Sequence, residues 1–445
     1  MNHFRNWARV NHGRVCLVIL FVFYPLANGQ ERGSSQPGWL TRLEQPVVKP
    51  TLAEWNLDYL RDNLLTNNSR LRAAYAEWKM KSLEEGTVVS IPDPTISMGY
   101  YLEPVETAQG PQIAKFSIAQ TIPWFLKTRS FRQVKAGASD QAYEKLRNTR
   151  LKLIRDLELL WNEGVYLENS IKIMDQKSAL SRDLETVFAS QYTRASISHQ
   201  TYSSAQIQTL EWVEKLQALK DRLFRVQVKL GAMLELDGPL LLVEFDRPLE
   251  NESESVPQGT VPSQHPSIVG LDRLITVAEA QQATANANYY PDVRVGVDYI
   301  ITGEQEMNGA AIAESGDDPL IFSLGLSLPI WNWSKKRAAK DVAKHRLEQA
   351  RALRNRAEID LREQFETARS TLAEKERYMA LLKNDLIPKS EEIVRVAEQA
   401  YISQNTNIES LTLTRYKLLD LRLSFEQAQF SAEEQKILMA YLEGE

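Results

Sequence analysis

Hydrophobic and polar residues alternate in four segments of the chain, and this alternation predicts four β-strands. The clearest segment is FSLGLSLPIW at residues 322–331, where Phe or Leu fills every second position and Ser, Gly or Pro lies between them. Residues 94–103, 116–124 and 291–300 follow the same pattern. A half-buried sheet of a soluble protein would alternate in the same way, so the pattern alone leaves open whether water or lipid covers the apolar face.

The four segments form two similar pairs. Residues 94–103 align with 291–300 so that Pro94 matches Pro291 and Gly99 matches Gly296, and both second segments open on Phe-Ser and contain a Pro near the end. Within each pair a loop carries Gly and Pro, as a hairpin requires, and we expect these loops at 103–111 and 302–319. The sequence therefore predicts a duplicated unit with one hairpin in each copy.

Long, charged, Ala-rich stretches follow each hairpin and predict exceptionally long helices of about 100 Å. A shorter helix then runs back towards the hairpin in each copy. A further helix in each copy would stack end to end on this returning helix, so that the two together approach the length of the long helix. Heptad-like spacing of Leu, Ala and Val predicts a hollow coiled-coil tube. The long helices are expected at 127–192 and 334–403, interrupted only by Pro388, the returning ones at 198–236 and 407–442, and the stacked ones at 69–86 and 266–288.

The joins between strand and helix carry a proline and aromatic residues. Pro123 and Trp124 mark the first join, Pro329 and Trp331 the second, with Thr128 and Ser334 as expected helix caps. Strands of about ten residues, tilted as in a membrane barrel, would span about 26 Å, which is the height of the apolar band of outer-membrane barrels. The aromatic residues lie at the strand ends, where such barrels carry aromatic residues at the membrane–water interface. Four strands cannot close a barrel, so we expect a cyclic homo-oligomer that shares one.

The polar face of the predicted strands supplies candidates for the barrel lumen. These residues alternate with the apolar ones and would face the water-filled interior. The candidates are Lys115, Arg294 and Asp298.

The first residues predict a secretory signal peptide, 1–29. Three arginines precede an apolar run at 15–23, and small residues follow at 27–29. A membrane anchor is the alternative, but the run is shorter than the roughly 20 residues that a spanning helix needs. Cys16, the single cysteine, lies in this run, so we expect no disulfide and no lipid anchor in the mature chain.

Composition excludes several functions. The formal charge is −5, and no basic cluster alternates with aromatic residues, which argues against nucleic-acid binding. No catalytic motif, cofactor-binding loop or pair of histidines at metal-ligand spacing is present, so we expect no enzyme, no cofactor and no metal site. His199, His265 and His345 are expected to be solvated or to pack at a helix tip.

These patterns divide the chain into five parts. They are a signal peptide (1–29), an N-terminal periplasmic segment (30–66), repeat 1 (67–236), a linker rich in Pro, Glu and Ser (237–264) that would wrap around the tube, and repeat 2 (265–445). Residues 30–50 resemble the linker in composition.

The chain carries the duplicated unit together with four motifs in this order: AQTIPWFLKTR, HPSIVGLDRLITVAEAQ, SLPIWNWSKKRAAKDVAKHR and DLIPKSEEIVRVAEQAY. In these features the sequence resembles the TolC-like outer-membrane efflux and secretion channels. The resemblance implies a mixed α and β membrane protein. It would be a homotrimer with a shared 12-stranded outer-membrane β-barrel, continued by a long α-helical coiled-coil periplasmic tunnel. It also implies outer-membrane lipid around the barrel, and a periplasmic adaptor and an inner-membrane pump as partners.

The same resemblance places the tunnel entrance at the tips of the helical hairpins. Gln200 and Thr201 follow the first tip and Glu409 the second, where the family often has acidic residues. The family usually has glycine at each tip, whereas Ala195 and Gln404 stand here, so the turn geometry is an open question.

The expected function is a passive outer-membrane channel of a tripartite efflux pump for small molecules or metal ions. The alternatives are the channel of a type I protein secretion system, a soluble exported coiled-coil scaffold, and an exported enzyme.

Overall fold

The computed structural model describes residues 38–44, 56–88, 91–241, 245, 264–304, 306–307, 310–311 and 316–444. The predicted signal peptide and most of the predicted linker lie outside these residues. The helices are α1 (Gly38–Leu43), α2 (Leu57–Asn67), α3 (Ser69–Gly86), α4 (Phe125–Thr193), α5 (His199–Met233), α6 (Pro266–Ala287), α7 (Trp333–Leu381), α8 (Ile387–Ile402) and α9 (Ile408–Glu443). The strands are β1 (Thr95–Thr107), β2 (Gly110–Ile122), β3 (Asp292–Thr302), β4 (Glu306–Met307), β5 (Ala310–Ala311) and β6 (Leu320–Ser327).

The four long strands form one antiparallel sheet in the order β1-β2-β3-β6, and β4 pairs with β5 in the loop of the second hairpin. The two predicted hairpins therefore lie side by side, joined through β2 and β3. The expected loop at residues 103–111 is wrong, because β1 and β2 remain paired as far as Thr107 and Gly110 and leave a two-residue turn. Gly110 has φ +127°, a conformation that favours glycine.

The helices form four columns that continue from the sheet. Near the sheet the order of packing is α3, α4, α6 and α7; farther away α4 packs between α5 and α9, and α9 packs against α7 and α8. The 69 residues of α4 span about 100 Å. Among the residues that the structure describes, no helix is both long and apolar enough to cross a membrane.

The second long helix contains one irregular turn. Between α7 and α8, residues Leu382–Leu386 form a π-helical turn, and Pro388 lies in the first turn of α8. A proline cannot donate the backbone hydrogen bond of a regular helix, and a π-turn accommodates that loss without ending the helix. The predicted interruption at Pro388 is confirmed, and the chain stays helical through it.

The predicted end-to-end stacking is confirmed, and Asn68 organises the first junction. Its side-chain Oδ1 accepts hydrogen bonds from the N–H groups of Arg70 and Leu71 at the start of α3, while its Nδ2 donates to the carbonyl of Met233 at the end of α5 at 2.9 Å. One buried amide thus satisfies the start of one helix and the end of the next.

His265 has the corresponding position at the second junction, where α6 stacks on α9. Its Nδ1 accepts a hydrogen bond from the N–H of Ser267 at 3.2 Å, and its ring packs edge-on against Tyr441 with the centroids 5.3 Å apart. The side chain is fully buried. The expectation of a solvated or tip-packing histidine is therefore wrong here, since this ring fills the space between two helix ends.

The largest hydrophobic core surrounds the first junction, and it includes segments that composition assigned to linkers. Leu40 of α1 and both Leu60 and Leu64 of α2 are buried in this core. Phe245 of the predicted linker packs on Trp161, and a Cβ at Gly164 would lie 2.4 Å from its ring. The linker-like interpretation of residues 30–50 is thus wrong for 38–43, whose apolar residues cover the helix ends.

Replacing the amide that serves two helices should cost more than removing an ordinary cap. We expect Asn68→Ala to lower the free energy of unfolding by about 2–3 kcal/mol, since it removes a cap and also leaves the part-buried carbonyl of Met233 without its donor. Asn407→Ala, which removes a single cap bond to Ser410 at an exposed tip, should cost about 1 kcal/mol. Urea unfolding followed by circular dichroism measures both, and equal losses would contradict the double role.

The second junction should weaken in mild acid. Burial lowers the pKa of His265, opposed by a backbone hydrogen bond at Tyr441 and reinforced by the positive charges of Lys152 and Arg147. Below the unfolded value of about 6.5 the unfolded chain binds a proton that the folded chain excludes, so stability is complete above that pH and falls below it.

Replacing His265 by a residue that cannot titrate isolates this contribution. His265→Asn keeps a hydrogen-bond acceptor, so the loss of unfolding free energy between pH 7.5 and pH 5 should be smaller than in the wild type. The matched variant His345→Asn changes an exposed histidine and should leave the difference unchanged. Identical pH profiles for all three proteins would contradict the assignment.

Candidate functional site

The sheet has one apolar and one polar face, as the alternation predicts. The register places Phe116 opposite both Met98 and Tyr299, and Val297 opposite Phe322, so the apolar side chains of all four strands share one face. Within the described part of the chain nothing covers this face, and Phe322 and Leu324 are each 71% exposed. Large apolar side chains left without a partner over a whole sheet face mark a surface that binds lipid or protein.

The three candidate lumen residues lie together on the opposite face. Lys115 Nζ lies 3.2 Å from a carboxylate oxygen of Asp298, which also accepts a hydrogen bond from Ser117. Arg294 is exposed on the same face, four residues from Asp298 along β3 with Gly296 between them. The sheet thus has a charged face with partly paired side chains and an apolar face without charges.

The joins between sheet and helices depend on two residues that precede β3 and on its first residue. Tyr290 stacks on Trp124 with parallel rings 5.7 Å apart, and Tyr289 packs against Trp333 at 5.6 Å. Asp292 accepts hydrogen bonds from the N–H of Trp124 and, at 2.7 Å, from Lys127 Nζ. One short segment therefore fixes both joins, a role that the sequence pattern did not indicate.

The join residues that the sequence singled out occupy different environments. Pro123 and Trp124 are partly buried between β2 and α4, whereas Trp331 is 79% exposed and Pro329 lies beyond the end of β6, where its carbonyl accepts from Lys336. The expected caps Thr128 and Ser334 are wrong. The helices begin earlier, after Trp124 and after Asn332, and neither has a side-chain cap.

Both tips of the helical hairpins have the same turn, although neither contains glycine. Ala195 and Gln404 adopt left-handed conformations, with φ +54° and +62°. In each tip this residue donates its N–H to the carbonyl three residues earlier, and the next residue donates to the one five residues before it. This pairing is the Schellman motif, in which a non-glycine residue costs about 1–2 kcal/mol.

The tunnel-entrance candidates follow these turns in equivalent positions. Ser198 caps α5 by accepting from the N–H of Thr201, and Asn407 caps α9 in the same way. Gln200 and Glu409 are therefore each the second residue of a helix, and both are exposed. A carboxylate in the first turn of a helix is stabilised by the helix dipole.

A buried lysine above the tips was not found from the sequence. Lys177 of α4 is only 3% exposed, and its Nζ lies 2.5 Å from a carboxylate oxygen of Asp420 on α9 and 3.8 Å from the ring centre of Trp212 on α5. This contact joins three helices that are far apart in the chain. No local pattern marks it, because one lysine among many charged helical residues has no distinctive spacing.

Metal chemistry has no visible basis in the described ranges. No group of three or more His, Cys, Asp or Glu side chains there could hold an ion. His199 packs against Tyr192 at the first tip, with ring centres 5.7 Å apart, and His345 is exposed beside Glu348, as expected for these two histidines.

The structure is similar to those of several outer-membrane proteins. VceC from Vibrio cholerae has a TM-score of 0.71 at 14% identity, covering 87% of this chain and 96% of that one. The CmeC outer-membrane channel of Campylobacter jejuni has a TM-score of 0.68 at 12% identity, covering 87% and 85%. The open MtrE outer-membrane channel of Neisseria gonorrhoeae has 0.68 at 16%, covering 87% and 88%.

No family model and no curated protein matches the sequence. At these low identities the similarity establishes the three-dimensional fold. The expectation from the sequence motifs is confirmed at that level, and the chain has the TolC-like fold of outer-membrane channels.

Proposed function

We propose that this chain is the outer-membrane channel of a tripartite efflux pump. Three copies would share a 12-stranded barrel in the outer membrane and a tunnel of helices in the periplasm. The tunnel would reach a periplasmic adaptor and an inner-membrane pump. The fold supports this proposal, and the separation of the two sheet faces is the observation that carries it.

The apolar face supports a lipid environment for the sheet. Its exposed side chains form a continuous surface over four strands, whereas the opposite face carries Lys115, Arg294 and Asp298. In water, burial of this surface would require a second layer, and the described helices do not supply one, because the apolar side chains remain exposed. Lipid would cover the apolar side, and a water-filled lumen would hydrate the charged side.

The edges of the sheet support sharing between copies. β1 and β6 are the outer strands, and in an antiparallel order of four they run in opposite directions. β6 of one copy can therefore pair antiparallel with β1 of the next, and three copies would close a ring without a free edge. Each copy would bring its four helical columns below the sheet, which gives a hollow tube.

Such a tube would act as a passive conduit. Selection of cargo would occur at the pump, because a wide aqueous tunnel offers few specific contacts. The same geometry would serve the secretion of proteins, so the substrate class is to be found by growth of a deletion strain on metals, drugs and detergents, together with crosslinking to the adaptor.

The assembly and the face assignment can be tested together. The mature protein should sediment with outer membranes and migrate as a trimer unless boiled. Leu326→Arg should cost about 2–4 kcal/mol at the lipid face and block assembly, whereas Ser327→Arg on the other face should assemble and change conductance. A freely soluble monomer would contradict the channel, and equal effects of the two substitutions would contradict the face assignment.

The second tip gives a prediction about ion selectivity. If the tips of three copies converge on the threefold axis, three Glu409 carboxylates would form a ring that attracts cations. Glu409→Gln should reduce the preference for cations in planar-bilayer recordings, and Glu409→Lys should reverse it or block transport. Trimer stability should change by less than about 0.5 kcal/mol, since the side chain is exposed.

A matched variant separates this local effect from a change in net charge. Glu214→Gln removes an exposed carboxylate from α5 far from the tip and should leave selectivity unchanged. Unchanged selectivity in both Glu409 variants, with reduced crosslinking to the adaptor, would instead place Glu409 at a docking surface.

A further inference from the structure

A groove opens on the outer surface immediately below the apolar face of the sheet. Its volume is about 570 Å³, and it lies between the end of β2, the first turns of α4, the end of α3 and Ile91. Ile122, at its upper end, belongs to the apolar face. The groove is lined mainly by Glu85, Ile91, Ile122, Phe125, Arg129 and Arg132. It therefore continues the apolar surface downwards and ends in two arginines.

The charges around the groove are unbalanced. Lys127 and Lys135 have carboxylate partners, in Asp292 at 2.7 Å and Glu84 at 2.8 Å. Arg129 and Arg132 are exposed, and neither has a carboxylate within 4.0 Å among the residues that the structure describes. Among the described residues that line the groove, Glu85 is the one acidic residue, so two arginines give the lining an excess of positive charge.

The position of the two arginines matches the depth of lipid phosphates. Arg129 and Arg132 follow Phe125 by four and seven residues on one helix, which places them about 6–10 Å below it. The polar layer of a bilayer extends about 5–8 Å beyond the hydrocarbon core on each side. Their spacing of three residues also puts both guanidinium groups on the same face of α4.

We propose that this groove binds an anionic phospholipid of the periplasmic leaflet, with its phosphate between Arg129 and Arg132 and its acyl chains along Ile122 and Phe125. This inference rests on the proposed function, because it needs the apolar face to lie in a membrane.

Charge and continuity favour lipid as the occupant. Guanidinium groups bind phosphate through paired hydrogen bonds, and the apolar lining leads directly to the surface that acyl chains would cover. The arginines also lie near the positive end of the α4 dipole, so they do not stabilise that helix. A neighbouring copy of the chain is the competing occupant, and it would need an acidic surface to face the same two arginines.

Native mass spectrometry of the full-length trimer in maltoside detergent tests the proposal. With phosphatidylglycerol as the probe, the wild type should retain about one tightly held lipid per subunit. Arg129→Gln/Arg132→Gln should bind it at least about tenfold more weakly, a loss expected for two charge-assisted phosphate contacts. Arg225→Gln/Lys229→Gln removes two exposed charges from α5, far from the sheet, and should bind as the wild type does.

Three results would contradict the inference. The first is that the groove variant retains phosphatidylglycerol with wild-type affinity. The second is that phosphatidylcholine binds the wild type as tightly as phosphatidylglycerol does. The third is that the variant fails to trimerise in lipid-free detergent, which would identify a second copy of the chain as the occupant. A wild-type chain that never inserts into phospholipid vesicles would instead contradict the proposed function. If the wild type and the Arg129→Gln/Arg132→Gln variant both insert into vesicles and bind lipid equally, the proposed lipid site is contradicted and the proposed function is not.

Discussion

Two junctions at which shorter helices meet end to end beside a long helix hold this structure together. A helix end leaves backbone N–H or carbonyl groups without partners, and burial of such an end is costly unless a side chain satisfies it. Asn68 does so between α5 and α3, and His265 caps α6 where it meets α9. The largest core packs around the first junction and excludes water from it. It includes residues of α1, α2 and the start of the linker.

The junctions make each of two broken columns comparable in length to the continuous helix beside it. This match allows both hairpins to lie at the same level. β2 and β3 can then pair over most of their length, which unites the hairpins in one sheet. Tyr289, Tyr290 and Asp292 couple that sheet to the starts of α4 and α7. The apolar face of the sheet therefore continues without a break into the groove that ends at Arg129 and Arg132.

The opposite end of the molecule is less firmly held. Both tips are exposed, and each depends on a residue in a left-handed conformation, Ala195 or Gln404. This conformation costs a small amount of free energy in a non-glycine residue. About 20 Å above them, Lys177 contacts Asp420 and Trp212 and joins three helices through one buried charge. No residue in 189–204 or 395–410 is buried, so we expect local stability to decrease towards the tips. This suits an end that is proposed to admit cargo and to meet a partner protein.

The sequence by itself determined the four long strands, the faces of Leu326 and Ser327, the long helices and their stacking, because periodicity and length are local properties. Only the tertiary structure decided which side chains serve helix ends. Thr128 and Ser334 have the composition of caps but lie inside helices, whereas His265 is buried at a junction. The contacts of Lys177 likewise join residues far apart in the chain. A single sequence carries no signal for such contacts, since they depend on how whole helices pack.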